Sequence, residues 1–144
     1  CHQLFEVDLF FIHPKITDKD ELITMMVKKM EEKGDVRPIY LASVFDRERA
    51  TTTCIGRGVA IPHGNMAEIN EPRIAVAILD TPIPWYEDMV DVVFLLAVKM
   101  TSNFEVKRTK QFYKDFLRLT DDDETLAAMK TKNSAFELYQ YFIK

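Results

Sequence analysis

The chain predicts an α/β fold, a mixed β-sheet flanked by helices on both sides, and three observations carry that expectation. Ile74-Ala75-Val76-Ala77-Ile78-Leu79 is an unbroken apolar run, and Val90 to Val98 is nearly so; runs of this kind read as strands buried on both faces. Apolar residues at helical spacing precede and follow them. Helices that must bury one stripe each, next to strands that must bury two faces, are satisfied together by a sheet covered on both sides. At 144 residues, 47% of them hydrophobic, residues 1–144 suit one domain with a real core.

Taken in order, Leu9-Phe10-Phe11-Ile12 is a short apolar run closed by His13-Pro14, which reads as a strand ended by proline. Asp18 with Glu21 three residues on forms a capping box, and Leu22, Met26 and Met30 repeat at helical spacing up to Gly34. Pro38 at a first helical position opens a second helix with Leu41, Val44 and Phe45 on its apolar face. Asp46-Arg47-Glu48-Arg49 ends it, and the threonines at 51 to 53 break it. Pro82, Pro84, Trp85 and Tyr86 predict a turn or loop between the two buried strands. Downstream, Phe112, Tyr113, Phe116, Leu117 and Leu119 sit at helical spacing, and Ser134 with Glu137 caps a last helix carrying Leu138, Tyr141 and Phe142.

Charge and cysteine content narrow the function. A net charge of −4 argues against a dedicated nucleic-acid surface, which needs clustered Lys and Arg in excess. The basic stretch Lys107-Arg108-Thr109-Lys110 is answered by Asp121-Asp122-Asp123-Glu124. No apolar run reaches the roughly 18 to 20 residues of a membrane span, and no signal segment opens the chain. Two cysteines, Cys1 and Cys54, are too few for a disulfide framework, and the expected setting is the reducing cytoplasm. A chain that starts at Cys1 without an initiator methionine reads as a fragment of a longer polypeptide.

The chemistry concentrates in Gly56-Arg57-Gly58-Val59-Ala60-Ile61-Pro62-His63-Gly64, which holds three of the four glycines. Glycine tolerates positive φ and close backbone approach, and Pro62 stiffens the step into His63. An imidazole, whose ordinary pKa is about 6.5, offers a lone pair as base, metal ligand or nucleophile. The plainer alternative is a turn histidine satisfied by backbone hydrogen bonds. A P-loop would need Gly-Lys-Ser/Thr where Gly58-Val59-Ala60 stands, and no Gly-x-Ser-x-Gly elbow is present. His2, His13 and His63 are isolated from one another and the cysteines lie far apart, so no metal and no cofactor is expected.

Asp46-Arg47-Glu48, Thr51, Thr53, Gly56 and Val59-Ala60-Ile61-Pro62-His63-Gly64 together resemble, without a gap, the signature of the type-2 EIIA domain of the bacterial phosphoenolpyruvate-dependent sugar phosphotransferase system, the fructose and mannitol class. Weaker resemblance covers Asp8-Leu9-Phe10-Phe11, Glu32-Lys33-Gly34 and the final two helices. The resemblance implies a mixed sheet flanked by helices. It also implies that His63 accepts a phosphoryl group from the phosphocarrier HPr and passes it to an EIIB domain. Arg47, the hydroxyl of Thr53 and the loop amides of Gly56 and Gly58 are then expected to stabilise the phosphate, guanidinium being well matched to phosphoryl oxygens. Arg47 has an alternative as a solvated cation at a helix end, and Arg57 as solvated surface. Thr52 stands where many members have proline.

Many members also carry a second histidine after the last buried strand. Asn103-Phe104-Glu105-Val106 occupies that region here, and no histidine follows His63. His13 belongs to another part of the pattern and reads as structural. Two functions stay open. One is a regulatory module at the C-terminal end of a transcriptional regulator or antiterminator of the BglG/MtlR type, with the other domains of that regulator as partners; the opening residues and the missing histidine favour it. The other is the phosphocarrier component of a sugar transporter.

Overall fold

The computed structural model of the chain describes residues 5–98 and 122–143. The expected helix over 112–119 and the Asn103–Val106 segment lie outside them. Five strands form one mixed sheet among the described residues: β1 (Phe10–Ile12), β2 (Cys54–Gly56), β3 (Val59–Ala60), β4 (Arg73–Trp85) and β5 (Asp88–Ala97), in the order β1-β4-β5-β3-β2. The centre is the long antiparallel β4–β5 hairpin, with Arg73 opposite Ala97 and Trp85 opposite Asp88. β1 joins β4 in parallel, Phe10 opposite Val76. β3 joins β5 in parallel, Val59 opposite Val92, and β2 pairs antiparallel with β3.

The helices among the described residues are α1 (Lys19–Glu32), α2 (Tyr40–Ala50), α3 (Asp123–Lys130) and α4 (Ala135–Ile143). Strand side chains alternate between faces, and the two buried sets divide accordingly. Ala60, Ala75, Ala77, Val93, Leu95 and Ala97 pack with Leu22, Met26 and Met30 of α1 and Tyr40 and Val44 of α2. Val59, Ile74, Val76, Ile78, Val92, Phe94 and Leu96 pack with Leu126 and Met129 of α3 and Leu138 of α4. Both faces are thus covered by helices, which is why 74–79 carries no polar residue.

Local chemistry sets the ends of α1. The Asp18 carboxylate accepts the Glu21 N–H at 3.0 Å. At the other end Gly34 adopts φ 79°, letting its N–H reach the Glu31 carbonyl and the Asp35 N–H reach the Met30 carbonyl, both at 2.9 Å.

Four expectations need correction. Leu9 is not in the first strand; Val7–Leu9 is a 3-10 turn and β1 starts at Phe10. Pro38 is not the first helical residue, because the Tyr40 N–H closes a tight turn onto the Arg37 carbonyl at 2.9 Å and α2 begins only at Tyr40. The buried stripe of α2 is Tyr40, Val44 and Glu48, while Leu41 and Phe45 are partly buried at its flank. Pro82, Pro84 and Trp85 lie within β4, and the chain reverses at Tyr86 and Glu87, Tyr86 having φ 59°. Prolines are tolerated there because β1 pairs only with residues 76–78, so the outer edge of β4 beyond them needs no N–H from proline. The pairing slips between Ile78 and Ile83.

Candidate functional site

The segment that ends at His63 is an extension of β3. Pro62 has no N–H to satisfy, and its carbonyl accepts the Leu96 N–H of β5 at 2.9 Å. One residue earlier, the Ile61 N–H donates to the Thr53 carbonyl at 3.1 Å. The half-buried His63 ring lies with Nδ1 3.0 Å from the Ile61 carbonyl oxygen. A carbonyl only accepts, so that contact assigns the ring proton to Nδ1 and leaves the lone pair on Nε2.

Immediately after the histidine the chain is held by α2. The Gly64 N–H donates to the Tyr40 hydroxyl at 3.1 Å, and the Asn65 N–H donates to Ser43 Oγ at 2.9 Å. Gly64 is required by space: a Cβ there would collide with Ser43 Oγ and lie 2.9 Å from Val44 Cγ2 and 3.0 Å from the Val44 nitrogen. Tyr40, Ser43 and Arg47 follow at helical spacing, so Arg47 sits one turn beyond Ser43 on the face that grips this loop. Its Nη1 donates to the Thr51 carbonyl at 2.7 Å, across the end of α2.

Gly56, Arg57 and Gly58 form the turn of the β2–β3 hairpin, with φ of 96°, 57° and 77°. The Gly58 carbonyl accepts the Asp91 and Val92 N–H groups at 2.9 and 3.0 Å, and a Cβ on Gly58 would lie 2.7 Å from Asp91 Oδ1. Arg57 forms an ion pair with Asp123 of α3, and Lys130 pairs with Asp91 at 2.9 Å. Arg57 is therefore engaged in a tertiary contact, not merely solvated. Thr53 is buried, donating its hydroxyl to Glu48 Oε1 at 2.5 Å and its N–H to Glu48 Oε2 at 2.8 Å.

Tyr40 and Ser43, which the sequence did not single out, hold this region together with Glu48, which the sequence marked only as part of the Asp46-Arg47-Glu48 signature. Glu48 also accepts the Trp85 Nε1–H at 3.1 Å, so one buried carboxylate joins α2, the start of β2 and the end of β4. Besides the resemblance, its signal was its place one turn past Val44. His13 follows β1 with its N–H on the Ile78 carbonyl. Two strands and five residue steps separate it from His63, roughly 14 Å across and 17 Å along the sheet. Burial pushes the Cys54 thiol up, which disfavours a thiolate nucleophile. Among the described residues no group of His, Cys, Asp or Glu is arranged to hold a metal, and no helix is long and apolar enough to cross a membrane.

Three comparisons with known proteins bear on this geometry. The family model for the phosphoenolpyruvate-dependent sugar phosphotransferase system, EIIA 2, matches residues 3–144. Transcriptional regulator ManR of Bacillus subtilis is 34% identical over 113 residues, 78% of this chain but only 17% of that protein. The mannitol-specific phosphotransferase enzyme IIA component of Halalkalibacterium halodurans is 33% identical over 91 residues, 61% of this chain and 63% of that one. Among solved structures, the complex of enzyme IIA mannitol with phosphorylated enzyme IIB mannitol from Escherichia coli has a chain that superposes with a TM-score of 0.76 at 19% identity, covering 95% of this chain and 99% of that one. A likeness at that identity speaks to the fold, and the fold is the same. With the family match running over nearly its whole length on that shared fold, the chain belongs to the EIIA 2 family of the phosphoenolpyruvate-dependent sugar phosphotransferase system.

Proposed function

We propose that His63 is the phosphoacceptor of this domain, loaded by HPr, and that residues 1–144 act as one EIIA domain within a longer sugar-responsive regulator. The observation that carries the reading is the Nδ1 contact with the Ile61 carbonyl, because it leaves Nε2 as the nucleophilic nitrogen. The Nε2 lone pair attacks phosphorus of the carrier's phosphohistidine. A new N–P bond forms as the old one breaks, and the bonding pair returns to the carrier's imidazole nitrogen. The proton stays on Nδ1, and the Ile61 carbonyl stabilises the positive charge that the ring acquires. Arg47, one turn past the residues that grip the loop, swings from the Thr51 carbonyl to the phosphoryl oxygens. Thr53, Gly56 and Gly58 act one step back, by fixing the hairpin that leads into His63.

Incubation with phosphoenolpyruvate, Enzyme I and HPr tests this directly. Wild-type chain takes up label as an acid-labile, alkali-stable phosphoramidate; equal uptake by His63→Ala would refute the assignment. The likeness to ManR supports the regulatory parent, and the likeness to the mannitol IIA component supports a transporter. Phosphate flux from the labelled domain to EIIB partners separates the two. Slow or absent flux fits the regulator, whereas rapid, sugar-coupled flux establishes the transporter.

A further inference from the structure

Tyr40 is fully buried, and its hydroxyl bonds the residue that follows His63. The hydroxyl donates to the Leu96 carbonyl at 2.8 Å and accepts the Gly64 N–H at 3.1 Å. Around this point β5 and the extension of β3 run in parallel, with the Leu96 N–H on the Pro62 carbonyl and His63 opposite Leu96. In a regular parallel ladder the next bond would run from the Gly64 N–H straight to the Leu96 carbonyl. A hydroxyl, with one proton and two lone pairs, can stand between that donor and that acceptor, and here it does. Two hydrogen bonds in series keep the Gly64 nitrogen and the Leu96 oxygen farther apart than the about 2.9 Å of a direct bond. Ser43 backs the arrangement, since its Oγ donates to the Tyr40 carbonyl at 2.7 Å and accepts the Asn65 N–H.

We infer that Tyr40 is a positioning residue for phosphoryl transfer: its inserted hydroxyl turns the chain out of the ladder directly after His63 and so fixes where the imidazole stands. This rests on His63 being the phosphoacceptor. Removing the hydroxyl frees Gly64 to close onto Leu96 or leaves both groups unpaired, and in either case the ring shifts. Reaction rates respond steeply to such shifts, a displacement of about 1 Å costing on the order of a hundred-fold.

The test is Tyr40→Phe, which keeps the ring volume, assayed with HPr phosphorylated by Enzyme I. The rate constant at saturating phospho-HPr should fall about ten- to hundred-fold while the half-saturating concentration stays unchanged, because the docking surface is intact. The Gly64 amide and the His63 ring nitrogens should shift in 15N spectra of the folded variant. A folded variant with the wild-type rate and unshifted His63 signals overturns the inference and leaves the phosphoacceptor assignment standing. A rate loss that only tracks the unfolded fraction and vanishes on cooling also overturns it, since the role would then be structural. Should Tyr40→Phe fail to fold, Ser43→Ala reads the same grip: a loss of a few-fold at saturation is expected, and an unchanged rate refutes it. Wild-type chain that takes no label at His63 defeats the phosphoacceptor reading itself, an outcome distinct from all the others.

Discussion

Replacing Glu48 by alanine should destabilise the domain far more than a charge at a helix end ordinarily would. Glu48 is 2% exposed and accepts the Thr53 N–H at 2.8 Å, the Thr53 hydroxyl at 2.5 Å and the Trp85 Nε1–H at 3.1 Å. The hydroxyl can rotate to another acceptor, but the two N–H donors are held by fully or nearly fully buried residues. Leaving a buried donor unpaired costs about 1 to 3 kcal/mol, and relief from burying the carboxylate offsets part of the sum. The expected net loss is therefore about 2 to 4 kcal/mol, a large share of the roughly 5 to 15 kcal/mol by which a domain is stable. Urea unfolding with an unchanged m-value reads this as a lowered midpoint, and heating as a Tm lower by roughly 5 to 15 °C. Glu48→Gln keeps the volume but turns an amide N–H₂ toward N–H donors, so it should fall between. The loss should also reach the site, because the Thr53 carbonyl holds the Ile61 N–H and the Ile61 carbonyl holds the His63 ring. A loss below about 0.5 kcal/mol, the range of ordinary surface substitutions, would refute the reasoning.

Arg47→Ala should slow labelling by about ten- to hundred-fold, the value of a charge-assisted contact of about 1.5 to 3 kcal/mol made in the transition state. Its contact with the Thr51 carbonyl lies at the surface, so the urea midpoint should hardly move, and unchanged labelling kinetics would assign Arg47 to the helix end alone. Burial pushes the Asp35 carboxyl above its ordinary 3.8, with Arg73 opposing and Glu6 adding to the shift. The folded state then holds that proton more tightly than the unfolded one, so this contribution is complete below pH 3.8 and is lost as pH rises through the raised value. Asp35→Asn should accordingly be more stable than wild type at neutral pH, the gap closing below pH 3.8; urea midpoints that differ equally across that range would contradict the shift.

Much of the architecture was legible because its causes are local. A short apolar run with no polar break and β-branched residues fits a strand covered twice, and Asp18 and Gly34 bound α1 through bonds to residues at most five away in the chain. The motif around His63 was legible for the same reason, since proline and glycine constrain the backbone wherever they occur. What the sequence could not display is pairing across distance. Glu48 lies within a run of charges and looks solvated until Trp85, thirty-seven residues on, is brought to it. Pro82 and Pro84 look like a loop until β1 is seen to stop short of them. Arg57 meets Asp123, and Tyr40 meets Gly64 and Leu96, only because the sheet order places their elements side by side. The sequence alone marked most of the elements and the candidate residue His63, through short-range sterics and hydrogen bonds. The tertiary structure alone decided which polar groups are buried together, because their partners are chosen by packing and carry no local pattern.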